Sequence, residues 1–176
     1  DSNGAGKIRV RTWLPEGAPK AIVQLVHGIA EHVDRYDAYA CWLNGQGIAV
    51  VAADHMGHGK SISDAAPIGC FVGGWQNAIE DTHRLMKDTM AEHPGIPYVL
   101  FGHSMGSFMA RTILAKYPDS GITAAIICGT GWMNPLILKA GKLMADGACK
   151  KNGERIPDEK LQAMAFSGYN NRVERV

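Results

Sequence analysis

Four short apolar runs constrain this chain more than any other feature. They cover residues 21–26 (Ala-Ile-Val-Gln-Leu-Val), 48–53 (Ile-Ala-Val-Val-Ala-Ala), 98–101 (Tyr-Val-Leu-Phe) and 124–128 (Ala-Ala-Ile-Ile-Cys), each bounded by glycine, proline or polar residues. Runs of this length suit strands buried on both faces, as in a parallel sheet covered by helices. Residues 8–14 differ, because Ile8, Arg9, Val10 and Arg11 alternate apolar with basic, the period of a strand with one wet face. Helical spacing fills the intervals. Trp75, Ile79, Thr82, Leu85, Met86 and Met90 form one stripe that stops at Pro94-Gly95. Phe108, Met109, Thr112 and Ile113 form a second, ended by Pro118, and Tyr36, Tyr39, Ala40 and Leu43 a third. Strands alternating with helices predict an α/β fold with a mostly parallel, doubly wound sheet and helices on both faces.

The pattern changes after Pro135. Residues 136–176 hold no strand-like run, and lysine, glutamate and glycine dominate 139–160, so short helices and loops outside the sheet are expected there. The expected division is therefore 1–134 for the sheet-bearing core and 135–176 for a helical appendage. Composition narrows the function classes. With 18 Lys+Arg against 17 Asp+Glu and no charge run, nothing in the electrostatics favours nucleic acid or an anionic membrane as partner. No apolar run approaches the roughly 20 residues of a membrane-spanning helix. Cys41, Cys70, Cys128 and Cys149 are irregularly spaced, with no C-x-x-C pair and no Cys/His cluster of zinc-ligand type. Reduced thiols in a cytoplasmic protein are the expectation, and no metal or organic cofactor is implied.

The chemistry is concentrated after the third apolar run. Residues 98–101 lead directly into Gly102-His103-Ser104-Met105-Gly106, and a helical stripe follows. This is G-x-S-x-G in its required setting of strand, sharp turn and helix. The turn forces the serine into a strained backbone conformation that lifts its hydroxyl above the strand ends. Side chains at 102 and 106 would collide with the neighbouring strand and helix, hence glycine. The helix start leaves backbone N–H groups free for negative charge. Val26-His27-Gly28-Ile29 leaves the first buried strand where a second oxyanion donor is needed. The candidate donors are the N–H groups of Met105 and Ile29. Taken alone, His27-Gly28 reads better as a plain strand exit.

At these residues a resemblance becomes specific. His27-Gly28-Ile29-Ala30-Glu31-His32-Val33-Asp34-Arg35-Tyr36 resembles the H-G-x-x-E-H-x-x-R-Y segment of the monoacylglycerol lipase and lysophospholipase-like branch of α/β-hydrolases. Asp54-His55-Met56-Gly57-His58-Gly59-Lys60-Ser61 resembles that branch's D-x-x-G-H-G-x-S loop, and Gly102–Gly106 its G-H-S-M-G elbow. The three motifs stand in order, and the resemblance covers about residues 8–134. It implies Ser104 as nucleophile of a carboxylic-ester hydrolase, with Ile29 and Met105 as oxyanion hole and an acyl-enzyme intermediate. A monoacylglycerol or lysophospholipid substrate is implied in the same way. Glu31, His32, Arg35 and Tyr36 are expected to fix the loop, Asp54 and His58 to structure theirs, and His103 to pack or hydrogen-bond rather than act as base. Ala30 stands where the branch often has glycine, which narrows the oxyanion loop without abolishing it.

A serine hydroxyl needs a base, and the base an orienting carboxylate. In this fold the partners follow in the order Ser, Asp or Glu, His. All seven histidines, at 27, 32, 55, 58, 83, 93 and 103, precede Ser104. Asp119, Asp146 and Asp158 follow it, and none is assigned to a triad. The expectation is a fold truncated within the cap, near residues 170–173, lacking the triad acid and histidine and feebly active at most. A prolyl aminopeptidase-type peptidase and a non-catalytic ligand-binding module remain alternatives. Aspartate-nucleophile relatives are disfavoured by serine at 104. Leu136-Ile137-Leu138 and Leu143-Met144 could face an acyl chain, although such stripes usually pack a cap. Oligomeric state is not legible.

Overall fold

The computed structural model describes residues 1–3, 6–153 and 158–166. The chain divides into two compact units, Asp1–Gly131 and Trp132–Val176. In the first, strands β1 (Val10–Trp13), β2 (Ala21–Val26), β3 (Ile48–Ala53), β4 (Tyr98–His103) and β5 (Ala124–Cys128) alternate with helices α1 (Asp37–Gly45), α2 (Gly74–Glu92) and α3 (Met105–Lys116). The sheet order is β1-β3-β2-β4-β5. Strand β1 runs antiparallel to β3, and every other pairing is parallel.

The largely apolar runs of β2 and β3 have the predicted cause. Val23 and Leu25 pack with Val50, Ala52, Ala40 and Leu43 on the side of α1. On the other face Val26 and Leu100 meet Ile79 of α2 and Met109, Ala110 and Ile113 of α3. Ile22, Ala49, Val51, Met86 and Tyr98 complete that side. Each such Leu or Ile, fully buried, contributes about 1.5–3 kcal/mol through apolar surface removed from water. Gln24 lies within β2 yet is buried; its Nε2 donates to the Thr82 carbonyl at 2.9 Å and its Oε1 accepts from the Tyr98 hydroxyl at 2.9 Å.

Two expectations need correction. Residues 124–128 form a strand, but not one buried on both faces: among the described residues β5 pairs with β4 alone, and only Ile127 tucks against the α2/α3 side. At β1 and the residue before it, the basic side chains are not the wet ones. Arg9 and Arg11 are half-buried in ion pairs with Asp34, while Val10 is exposed. Paired guanidinium groups tolerate burial that an unpaired charge would not.

In the second unit, α4 (Pro135–Asn152) is one helix of 18 residues where short helices were expected. Asn134 caps it by accepting from the Leu136 N–H at 2.9 Å, and Pro135 takes the first helical position. Leu136, Ile137, Leu138, Leu143 and Met144 are exposed. Helix α5 (Glu159–Phe166) follows, with Asp158 accepting from the Leu161 N–H. The expected break near residues 170–173 lies outside the described residues. No described helix is long and apolar enough to cross a membrane.

Candidate active site

Strand β4 runs out through His103 into Ser104 and then directly into α3. Ser104 has φ 50° and ψ −116°, one of two described non-glycine residues with positive φ; the other is Ala30. Such a conformation costs of order 1–3 kcal/mol and persists only where packing over-determines it. The packing is visible at the flanking glycines. A Cβ on Gly106 would overlap the carbonyl of Val26 and stand 2.7 Å from that of His27. A Cβ on Gly102 would strike the Gly106 carbonyl and lie 2.9 Å from Ala110 Cβ. The collision expected from the motif is therefore backbone against backbone. Ser104 N–H donates to the Cys128 carbonyl at 2.9 Å, and the Ser107 hydroxyl donates to the Ser104 carbonyl at 2.5 Å.

The loop after β2 lies beside this turn. A Cβ on Gly28 would fall 3.1 Å from Ser104 Cβ and 2.5 Å from Glu31 Oε1. The N–H groups of Ile29 and Met105, the two candidate oxyanion donors, have no partner among the described residues. His27 is fully buried. Its Nδ1 donates to the Gly28 carbonyl at 2.7 Å, and its Nε2 accepts from the His55 N–H at 3.0 Å. Burial holds this imidazole down to about 4. The His55 ring packs 4.0 Å from that of His27, centroid to centroid, and donates from Nε2 to the His27 carbonyl at 3.2 Å. Burial and its two histidine neighbours hold His55 well below its ordinary value.

Glu31 is buried beside the elbow. Its Oε1 accepts from the Gly28 N–H, from the Tyr36 hydroxyl at 2.9 Å and from His103 Nδ1 at 2.9 Å; its Oε2 accepts from Arg35 at 3.0 Å. Burial pushes this carboxyl up, but the hydrogen bonds from His103, Gly28 and Tyr36 outweigh it and leave it below the usual carboxylate range. His103 thus binds a carboxylate at the foot of the elbow. Asp54, with no exposure, accepts from the N–H groups of Val33 at 2.8 Å and Lys60 at 2.9 Å and from Arg9 at 3.3 Å. His58 Nδ1 donates to the Met56 carbonyl, and its Nε2 is buried without a partner. Both sit in the loop they were expected to organise.

None of the seven histidines hydrogen-bonds the Ser104 hydroxyl. Of the later aspartates, Asp158 serves as a helix cap. Among the described residues no group of three or more His, Cys, Asp or Glu could hold a metal. Sequence reasoning overlooked His55 as the backing of His27, and Cys128 as the acceptor for Ser104. The second was within reach, since an apolar run ending in register with the elbow must place its last carbonyl there. Cys128 does pair with His103 across β4 and β5.

A doubly wound sheet whose strained serine joins a strand to a helix, beside a loop with a free N–H, defines an α/β-hydrolase. Residues 17–173 match the sequence profile described as serine aminopeptidase, S33, and the chain belongs to that hydrolase family. It is 30% identical over 171 residues to a monoacylglycerol lipase of Mycolicibacterium smegmatis, covering 93% of this chain and 58% of that protein. Against the human monoglyceride lipase it is 33% identical over 135 residues, 77% of this chain and 43% of the relative. A carboxyl esterase from Bacillus coagulans, solved with glycerol, superposes with a TM-score of 0.87 at 30% identity, over all of this chain and 57% of its own. The chain thus spans about half the length of these relatives.

Proposed function

We propose that the whole protein is a carboxylic-ester hydrolase acting on monoacylglycerol-like lipids, with Ser104 as nucleophile. The observation that carries this is the strained Ser104 held against Gly28, with the Ile29 and Met105 N–H groups unengaged among the described residues. In the reaction Ser104 Oγ attacks the acyl carbonyl and its proton passes to a base. The Ile29 and Met105 N–H groups bind the oxyanion. The C–O bond then breaks, the alcohol leaves with the proton, and water releases the acid by the same path. None of the seven histidines bonds the Ser104 hydroxyl and the relatives are longer than this chain, so we assign the base and its carboxylate to the part of the whole protein that these residues do not span. On that reading residues 135–176 begin a helical cap. Four unpaired cysteines support a cytoplasmic setting.

The family description keeps an aminopeptidase reading in view, since a free substrate amine would need an acidic partner. Glu31 is the carboxylate beside the elbow, and its oxygens already take four donors. That saturation favours the ester. Intact-mass spectra before and after a fluorophosphonate probe, with Ser104→Ala as control, test the nucleophile. Ser104 Oγ displaces fluoride at phosphorus, so a single adduct absent from the Ser104→Ala protein is expected. An adduct that survives in Ser104→Ala overturns the assignment.

A further inference from the structure

We propose that Glu31 is a positioning residue that ties the oxyanion loop to the nucleophile elbow by holding Gly28 and His103 on a single carboxylate oxygen. The inference rests on reading Ser104 as nucleophile and Ile29 N–H as a donor. Its basis is how completely Gly28 is held. Its N–H goes to Glu31 Oε1, and its carbonyl accepts from His27 Nδ1 at 2.7 Å. Because His27 Nε2 accepts from the His55 N–H, the ring's hydrogen must sit on Nδ1 and face Gly28. The Gly28 carbonyl and the Ile29 N–H share one planar trans peptide, so fixing the first fixes the direction of the second.

The elbow is drawn to the same point. His103, immediately before Ser104, reaches Glu31 Oε1 from 72 residues away, at 2.9 Å, and Tyr36 braces both with its hydroxyl 2.9 Å from Oε1 and 3.0 Å from His103 Nδ1. Glu31 Oε1 and Ser104 Cβ flank Gly28 at 2.5 and 3.1 Å from its absent side chain. Glu31 therefore sets the distance between the hydroxyl that attacks and the N–H that receives the oxyanion. Arg35, on Oε2 and largely exposed, has no part in this linkage.

The test is saturation labelling of Ser104 by a fluorophosphonate, separating the limiting rate from the half-saturating concentration. Glu31→Ala should slow the limiting rate by roughly tenfold or more and leave half-saturation within about twofold, because it displaces a transition-state donor and not a binding surface. Glu31→Gln, which keeps an acceptor for the Gly28 N–H, should recover most of the rate. Met86→Ala, which truncates a fully buried side chain outside the network, controls for loss of stability. An unchanged limiting rate in Glu31→Ala, or an equal loss in Met86→Ala at matched stability, overturns the proposal. If the unsubstituted whole protein takes no label, the nucleophile reading fails, and nitrogen-15 NMR decides the linkage alone. Glu31→Ala should then shift the Gly28 and Ile29 amides and the His103 ring together. A His103 ring that stays put while Gly28 moves overturns the coupling.

Discussion

Gly106 at the start of α3 lies so close to Val26 at the end of β2 that a single Cβ on the glycine would overlap the valine carbonyl. The contact is backbone to backbone, so no side-chain rotation relieves it. Gly106→Ala should therefore cost at least about 3 kcal/mol, the upper range for overpacking a close-packed core. Urea unfolding measures it. A loss below about 1 kcal/mol would show that α3 can slide away from the sheet.

Tyr98 supplies the second case. Its hydroxyl is the partner of Gln24 Oε1 inside the sheet, and Gln24 has no other route to water at 1% exposure. Tyr98→Phe keeps the ring's packing and leaves a buried acceptor unsatisfied. Such a group costs about 1–3 kcal/mol. Tyr98→Phe combined with Gln24→Leu should be less destabilised than the sum of the two single variants, because each single change breaks the same hydrogen bond. Additive losses in a double-mutant cycle would refute the pairing.

The legibility of this fold in its sequence follows physical lines. Strands β2, β3 and β4 were readable because burial on both faces removes polar alternation, and the elbow was readable because Gly102 and Gly106 answer a steric demand between near neighbours. Strand β5 shows the limit. Its apolar run is the same whether a helix covers it or not, so exposure at the edge of the sheet could not be read from it. The Glu31–His103 link joins residues far apart in the chain, and nothing in the order of residues announces a contact that depends on the whole sheet being assembled. The Arg9 and Arg11 pairs with Asp34 were hidden for the same reason.

Acid should weaken this protein earlier than its carboxylates alone would. His27 is held down to about 4 by burial, against an ordinary value near 6.5, and His55 is held lower than ordinary too. The groups facing His27 are His58, Asp54 and Glu31, besides His55. The unfolded chain takes up these protons first. Their neutral burial thus costs nothing above about pH 6.5, and stability falls as pH drops from there toward 4. For His27 alone the loss is about 3 kcal/mol. Urea unfolding at pH 7.5, 5.5 and 4.5 should show that decline. A flat profile across the window would mean that the cluster opens and protonates in the folded state.

Ala30 closes the oxyanion loop at φ 56°, in the left-handed region, and it is exposed. For an L-residue this conformation costs about 1–2 kcal/mol, and a β-branched side chain makes it worse. Glycine at this position adopts it freely, but loses about 0.5–1 kcal/mol of backbone entropy on ordering. The two effects nearly cancel, so Ala30→Gly should change stability by less than about 1 kcal/mol. Ala30→Val has no compensating gain and should lose about 1–2 kcal/mol or push the loop out of place. Thermal unfolding separates these cases when read beside fluorophosphonate labelling of Ser104. If the strained turn matters to the oxyanion donor at Ile29, Ala30→Val slows labelling even at temperatures where the protein is fully folded. Labelling that tracks only the folded fraction would assign Ala30 to stability alone.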